Sequence, residues 1–148
     1  MAEVKTPTVK FIRMHDDAKA PEEKKHKTDV GYNLTAIREY RRFTSRTVMY
    51  DTGLIVRPPV GYYTEIVPRS SMAKSGHILA NSVGIVDPEY TGTLLIVLTK
   101  VDDGVPDLKL PFSLCQLVLR KFEDYTLEET TTVESTTRGD GGFGSTNK

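Results

Sequence analysis

The chain has 148 residues, with 20 basic and 20 acidic side chains and one cysteine. This length allows one domain, or a domain with a tail, and is too short for a TIM barrel or a two-domain enzyme. A net charge of zero argues against a protein that binds nucleic acid by bulk electrostatics. It leaves room for a small anionic ligand, which needs only a few local donors.

Cysteine content and apolar runs bear on the compartment. A lone Cys115 cannot form an internal disulfide, which predicts a reducing, intracellular compartment, cytoplasmic or nuclear. The first residues lack the apolar stretch of a signal peptide. The longest clean apolar run, Leu94–Leu98, is too short to cross a bilayer, so we expect no membrane partner.

Strand signals dominate the first half of the chain. A charged loop over residues 16–27 and a turn at residues 51–53 interrupt them. Runs of β-branched and aromatic residues predict strands at Val9–Met14, Tyr32–Ile37, Phe43–Tyr50, Leu54–Val56 and Tyr62–Val67.

The middle of the chain adds one helix and more strands. Residues 70–75 predict a short helix with a serine cap and with Gly76 just past its end. Apolar runs at 78–86 and 92–99 predict a hairpin around a polar tip. Leu108–Leu110 and Leu114–Arg120 read as the last strands.

Composition changes after Phe122, where Thr, Glu and Gly replace the apolar runs. We therefore predict a β-barrel domain over residues 1–122 and a flexible C-terminal arm over residues 123–148. Many short strands with turn signals and one short helix predict an all-β fold, a jelly-roll-type β-barrel.

Two polar segments could carry chemistry. Arg69, Ser70 and Ser71 offer a guanidinium, two hydroxyls and the N–H groups of a helix start, which together suit a phosphate. An ordinary helix cap with a surface arginine is the alternative. Asp87 ends a buried strand, where a carboxylate can activate water or bind a metal, or can simply cap a hairpin tip with Tyr90 in the core.

Two further segments lie nearer the C-terminus. Gln116 interrupts an apolar strand and is a modest ligand candidate. Residues 138–146 combine Arg138, four glycines, Phe143 and a Ser-Thr pair. Glycines allow backbone N–H groups close to an anion, and the phenyl ring could stack on a base; a flexible tail is the alternative. The sequence contains no Walker A motif, zinc-ligand spacing or serine-hydrolase elbow.

Taken in order, these segments resemble the five motifs of the trimeric deoxyuridine triphosphatases, or dUTPases. The resemblance spans residues 28–146, and the second, third and fifth motifs are the specific ones. The matching segments are Val30–Ala36, Pro68–Ser71, Asn81–Gly92, Ser113–Leu117 and Arg138–Thr146.

The resemblance implies a homotrimer with shared active sites that hydrolyses dUTP to dUMP and pyrophosphate with Mg²⁺ on the triphosphate. It implies that Asp87 activates the attacking water and that Tyr90 packs against the deoxyribose. Uracil would be read by Asn81, Gly84, Ile85, Val86 and Leu95. Phosphates would be held by Arg69, Ser70, Ser71 and Gln116. The arm would close over the site with Arg138, Phe143, Gly144, Ser145 and Thr146.

Two residues depart from the family pattern. Asn33 stands where the first motif usually carries an aspartate that holds the metal through water, and Ser113 replaces the arginine that usually begins the fourth motif. These departures keep open a catalytically weakened, nucleotide-binding or regulatory relative. A dCTP deaminase shares the implied fold but places a glutamate past the hairpin tip, where this chain has the apolar run 94–98.

Overall fold

The computed structural model describes residues 5–144, which form ten β-strands and one short 3₁₀ helix at Ser70–Lys74. The strands are β1 Lys10–Arg13, β2 Tyr32–Ala36, β3 Arg38–Arg42, β4 Thr47–Asp51, β5 Leu54–Arg57, β6 Tyr62–Pro68, β7 His77–Leu79, β8 Gly84–Val86, β9 Leu95–Lys100 and β10 Phe112–Lys121. No helix within these residues is long and apolar enough to span a bilayer.

The strands form antiparallel sheets, as predicted for an all-β fold of the jelly-roll type. One four-stranded sheet has the order β2-β10-β6-β8, the other has the order β3-β4-β9-β7, and β1 pairs with β5. Buried and less buried residues alternate along β4, β6, β9 and β10, as expected for strands with one face on a core.

One hydrophobic core joins the two large sheets. Leu34 and Cys115 contribute from the first sheet, while Ile96 and Leu98 contribute from the second, and all four are almost fully buried. The rings of Tyr50 and Phe112 meet edge to face with centroids 4.8 Å apart. The sheets therefore pack face to face around shared apolar side chains.

The turn after β4 carries the chain from one sheet to another. Thr52 is fully buried, and its hydroxyl donates to the Leu94 carbonyl at 2.9 Å. Gly53 has φ of 72°, and its N–H donates to an Asp51 carboxylate oxygen at 2.8 Å. Predicted as a turn, this segment does not join a hairpin, because β4 and β5 lie in different sheets.

Four local predictions were wrong. The predicted strand 43–50 begins too early, because residues 43–46 form the turn between β3 and β4 and only residues 47–50 are strand, and the charged strand β3 was missed. Residues 108–110 form no strand. The predicted serine cap is absent, because the residue that precedes the 3₁₀ helix is Arg69, which has extended backbone and makes no side-chain cap bond. The predicted hairpin 78–99 is divided, because β7 pairs with β9 whereas β8 pairs with β6.

The C-terminal arm contains no helix or strand over its described part, residues 123–144. Its apolar side chains face solvent: Leu127 and Val133 are about nine-tenths exposed, at 92% and 90%. The arm thus adds nothing to the core over this range. The division at residue 122 remains a prediction.

Candidate functional site

A cavity of about 190 Å³ opens beside β8 and the loop that follows it. Its walls combine one carboxylate, one amide, one phenol, a stretch of strand backbone and several aliphatic side chains. The lining residues are Ile66, Asn81, Gly84, Ile85, Val86, Asp87, Tyr90, Leu94 and Leu95. All the predicted uracil, sugar and water-activating residues therefore line one cavity.

Strand β8 forms one wall of this cavity and is an edge strand. It pairs with β6 on one side only, with Gly84 opposite Ile66 and Val86 opposite Thr64. An edge strand presents unpaired backbone N–H and C=O groups on its other side. Such groups can form the donor and acceptor pattern that a nucleobase edge requires.

A tight turn places the Asn81 side chain next to β8. Ser82 has φ of 62°, and the Val83 N–H donates to the Asn81 carbonyl. A Cβ atom at Gly84 would lie 3.4 Å from the Asn81 amide nitrogen and 3.2 Å from Cβ of Ile66. Glycine at position 84 thus avoids a tight contact with Ile66, and the Asn81 amide lies beside the strand.

Tyr90 is fixed by its own loop. Its N–H donates to the Asp87 carbonyl at 3.1 Å, and its hydroxyl donates to the Thr93 carbonyl at 2.8 Å. A side chain at Gly92 would overlap the phenol, so this glycine makes the ring position accessible. Burial, followed by the nearby Tyr40 and Asp51, raises the pKa of Tyr90, so the ring carries a neutral hydroxyl at neutral pH.

Asp87 lies at the end of β8 with its side chain exposed. It lines the cavity and also a second, mainly apolar cavity of about 320 Å³ that sequence reasoning did not predict. That second cavity is also lined by Tyr63, Ile85, Pro88, Lys121, Phe122, Glu123 and Tyr125. An exposed carboxylate at a cavity wall can accept a proton from a bound water.

The predicted phosphate residues Arg69 and Gln116 lie where β6 and β10 pair. Arg69 Nη1 donates to the Ser113 carbonyl at 2.9 Å and to the Ser113 hydroxyl at 3.2 Å. Gln116 Nε2 donates to the Pro68 carbonyl at 3.2 Å. Gly31 precedes β2, and a side chain at this position would collide with the Gln116 amide. The Gln116 side chain therefore fits here only because residue 31 is glycine.

The two serines of the same segment differ. Ser70 is exposed, whereas the hydroxyl oxygen of Ser71 is buried with no hydrogen-bond partner among residues 5–144. A buried hydroxyl without a partner costs free energy, so its preferred state is one in which a ligand or water supplies the partner.

Asn33 lies directly opposite Gln116 in the β2–β10 pair. Its amide nitrogen donates to a carboxylate oxygen of Glu22 at 3.3 Å, and the Glu22 N–H donates to the Asn33 carbonyl at 3.0 Å. Within the described part of the chain, no three His, Cys, Asp or Glu residues cluster closely enough to hold a metal ion by themselves.

Within the single chain, the predicted site residues form two groups. The cavity adjoins β8, and Asn33 lies on β2, at the opposite edge of the same four-stranded sheet. Three strand spacings separate those edges, about 14 Å.

At the start of the arm, Glu123 and Tyr125 share the second cavity with Asp87, whereas residues 138–144 line neither cavity. Phe143 is fully exposed, and Arg138 Nε donates to the nearby Gly141 carbonyl at 2.7 Å. Gly144 has φ of 77°. The predicted ligands Ser145 and Thr146 lie outside the described residues.

Some functional residues were missed. Ile66 and Leu94 line the cavity, and Gly92 permits the Tyr90 position. The glycine two residues after Tyr90 was a usable signal. Nothing local in the sequence marks Ile66 or Leu94, because strand pairing brings them to the cavity.

The sequence matches the family model described as dUTPase over residues 16–147. The chain belongs to the dUTPase family. A deoxyuridine 5′-triphosphate nucleotidohydrolase of Escherichia phage T5 is 37% identical over 68% of each chain. That of the Picosynechococcus strain PCC 7002 is 31% identical over 93% of this chain and 97% of its own.

Solved structures show the same fold. A mutant dUTPase of Staphylococcus bacteriophage 80alpha with dUpNHpp has a TM-score of 0.70 and 22% identity over 95% of this chain and 99% of its own. A mutant dUTPase from phage phi11 of S. aureus, described as revealing the coordination of a structural Mg(II) ion, has a TM-score of 0.66. It is 21% identical, over 86% of this chain and 99% of its own.

Proposed function

We propose that this dUTPase family member hydrolyses dUTP to dUMP and pyrophosphate. The observation that carries the proposal is the cavity beside β8, where an amide, an edge-strand backbone, a fixed phenol and one carboxylate line a single space. Each of these groups suits one part of a deoxyuridine nucleotide.

Uracil is the part that suits the edge strand. The outward backbone groups of residues 84–86 and the Asn81 amide can imitate the base-pairing edge of adenine, with Leu95 closing the slot. The cavity volume of about 190 Å³ is sufficient for a pyrimidine base. A narrow aliphatic wall rejects a thymine methyl group by overpacking.

The deoxyribose is the part that suits Tyr90. Its hydroxyl is bonded to the Thr93 carbonyl, so the ring cannot swing aside without breaking that bond. A fixed ring against the sugar leaves no space for a 2′-hydroxyl, and this discriminates dUTP from UTP.

Asp87 acts as the base that orients and deprotonates the water attacking the α-phosphorus. The P–O bond to the β-phosphate oxygen breaks as the water oxygen bonds to phosphorus, so dUMP and pyrophosphate leave. Arg69, Gln116 and the hydroxyls of Ser70 and Ser71 hold the phosphates, and the partnerless Ser71 oxygen supports that role.

The donor set near these residues fits Mg²⁺, which prefers oxygen ligands and keeps several waters. Bound with the triphosphate, Mg²⁺ would neutralise phosphate charge, and the Asn33 amide oxygen would help to hold it through water. The absence of a complete acidic cluster within residues 5–144 is consistent with an ion that binds together with the nucleotide.

A homotrimer with shared sites is the assembly we propose. Two features of the single chain support active sites shared between subunits. The cavity beside β8 and Asn33 lie at opposite edges of one sheet, and the arm faces solvent. The 22 described arm residues can reach about 70 Å when extended, enough to cross to another copy. The lone Cys115 supports an intracellular location, cytoplasmic or nuclear.

A substrate panel tests the reaction. Purified protein is incubated with dUTP, dCTP or UTP and Mg²⁺, and pyrophosphate and ammonia are followed. We expect pyrophosphate from dUTP alone. Ammonia from dCTP would indicate a deaminase, and intact dUTP at high protein concentration would contradict hydrolysis.

Replacing Asp87 with asparagine tests the base. We expect Asp87→Asn to lower kcat at least 100-fold, a typical contribution of general base catalysis, and to leave dUTP binding within about threefold. Glu89→Gln is the matched control, because Glu89 lies in the same loop but does not line the cavity beside β8. Single-turnover rates and calorimetric binding measure the two effects; wild-type turnover would assign the base elsewhere.

A catalytically weakened nucleotide-binding or regulatory protein is the second candidate. The neutral Asn33 near the phosphate residues favours it, because a carboxylate is absent at that position. Tight dUTP binding without turnover in the substrate panel would select this candidate over the enzyme.

A further inference from the structure

Glu22 is joined to Asn33 by two hydrogen bonds that close the long loop onto β2. One runs from the Asn33 amide nitrogen to the Glu22 carboxylate at 3.3 Å, and the other runs from the Glu22 N–H to the Asn33 carbonyl at 3.0 Å. Together with the bridge between the two backbones, these bonds fix the carboxylate beside Asn33. Glu22 itself is exposed.

Strand register places this carboxylate near the phosphate residues. Asn33 lies opposite Gln116, and Gln116 donates to the Pro68 carbonyl immediately before Arg69. Glu22, Asn33 and Gln116 thus follow one another across the sheet toward Arg69. A divalent cation on a triphosphate bound by Arg69 and Gln116 would lie at this end of the sheet.

The chemistry of the ion favours a carboxylate at this place. Mg²⁺ is a hard cation that binds oxygen and keeps bound waters, which donate hydrogen bonds to outer carboxylates. The Asn33 amide is neutral and uses its N–H on Glu22, so its own contribution is one carbonyl oxygen. The only negative charge in this contact is that of the Glu22 carboxylate.

We propose that the Glu22 carboxylate, held by Asn33, accepts hydrogen bonds from water on the divalent cation that accompanies dUTP. This inference rests on the proposed function, since it places the triphosphate at Arg69 and Gln116. It makes Asn33 a residue that orients the carboxylate, in addition to its own amide oxygen.

The test measures metal binding rather than turnover. Mn²⁺ is titrated into the full-length protein with dUpNHpp, and free Mn²⁺ is followed by electron paramagnetic resonance. We expect Glu22→Gln to weaken Mn²⁺ binding about tenfold, as is typical when an outer partner of a metal site is lost. Glu23→Gln, which removes one charge from the next exposed position, is expected to leave it unchanged.

Metal-free binding separates this role from a structural one. In EDTA, wild type and Glu22→Gln are expected to bind dUpNHpp equally. Equal Mn²⁺ affinity in the two proteins, or an equal loss of nucleotide binding with and without metal, would overturn the proposal. Wild-type protein that binds no dUpNHpp under either condition would overturn the proposed function as well.

A charge relocation gives the sharpest result. The double variant Glu22→Gln, Asn33→Asp moves the carboxylate from the loop to β2, and we expect Mn²⁺ affinity within threefold of wild type. If the double variant has the wild-type melting temperature but still binds Mn²⁺ weakly, the carboxylate charge has no role in binding the metal ion. Asn33→Asp alone places two carboxylates together, so it is expected to bind Mn²⁺ at least as tightly as wild type.

Discussion

At the scale of single residues, Ser113, one of the two departures from the family pattern, contacts a proposed phosphate ligand directly. Ser113 offers Arg69 both its carbonyl and its hydroxyl, where the usual fourth motif begins with arginine. An arginine there would face another guanidinium, whereas serine supplies acceptors. Ser113 therefore holds the guanidinium of a proposed phosphate ligand.

Ser113→Ala removes one acceptor for Arg69 and keeps the carbonyl. We expect kcat/KM for dUTP to fall about fivefold, equivalent to about 1 kcal/mol for a half-buried bond to a charged group. Deoxyuridine binding is expected to stay constant, because no phosphate is involved. Ser113→Thr keeps the hydroxyl and serves as the control; an equal loss for deoxyuridine would point to a distorted fold.

Cys115 is the other residue with a clear physical consequence. Burial raises the pKa of its thiol from 9.0 to about 12, so the folded protein holds the neutral thiol. The contribution of this thiol to the free energy of unfolding is complete below pH 9. It is lost as the pH rises toward 12, because in that range the thiol ionises in the unfolded chain but not in the folded one.

We expect the melting temperature to fall between pH 9 and pH 11 in wild type, and to fall less steeply in Cys115→Val. Tyr50 and Tyr90, whose pKa values are also raised chiefly by burial, act in the same direction and remain in both proteins. Thermal melts at matched ionic strength measure the slopes. Parallel slopes would show that the thiol does not contribute.

At the scale of elements, the turn after β4 determines how the sheets connect. Thr52 and Gly53 turn the chain so that β5 leaves toward β1 instead of pairing with β4. A side chain at Gly53 would meet Cβ of Ala18 and Cδ1 of Ile37 at 2.9 Å, in a backbone conformation with φ of 72°. Both packing and conformation therefore require glycine here.

Gly53→Ala is expected to destabilise the protein by about 3 kcal/mol, from left-handed strain and overpacking together. Gly61→Ala is the matched control, since Gly61 also has positive φ but nothing within 4 Å of an added Cβ. We expect it to cost only about 1 kcal/mol. Urea unfolding measures both; equal losses would mean that packing around Gly53 adds nothing.

At the scale of the whole molecule, exposed apolar side chains on β1 accompany an arm whose described apolar residues face solvent. Phe11 and Ile12 of β1 are 48% and 56% exposed, although they belong to a strand. Large apolar side chains left exposed together mark association surfaces. This surface supports the proposed homotrimer, which sedimentation would measure directly.

Deleting residues 138–148 is expected to lower kcat/KM for dUTP at least tenfold without changing the melting temperature. The proposed stacking of Phe143 on uracil would by itself contribute about 1–3 kcal/mol, and the described arm residues add nothing to the core. Phe143→Ala isolates the stacking part. Wild-type kinetics in the deletion variant would show that the arm has no part in the reaction.

Mixing two impaired variants tests whether sites are shared. Asp87→Asn protein keeps its arm, and arm-deleted protein keeps Asp87, so exchange of subunits between them can assemble a complete site. We expect activity to return after refolding the two together. Activity no higher than the sum of the separate samples would place each site within one chain.

Much of the candidate site was predictable because its parts are adjacent in the chain. Asn81, Asp87 and Tyr90 fall within ten residues, where turn residues and one short strand decide their arrangement. The errors arose where local signals conflict with pairing: charged β3 forms a strand because β4 lies beside it. Likewise, β8 leaves its sequence neighbour β9 to pair with β6.

The sequence by itself determined the all-β class, through alternating apolar residues, and the family, through five ordered motifs. Only the tertiary structure placed Glu22 beside Asn33, Asn33 opposite Gln116, and Ile66 in the wall of the cavity beside β8. Alternation and turn chemistry act over a few residues. Strand register between distant segments is instead fixed by how a whole buried face packs, which no single segment encodes.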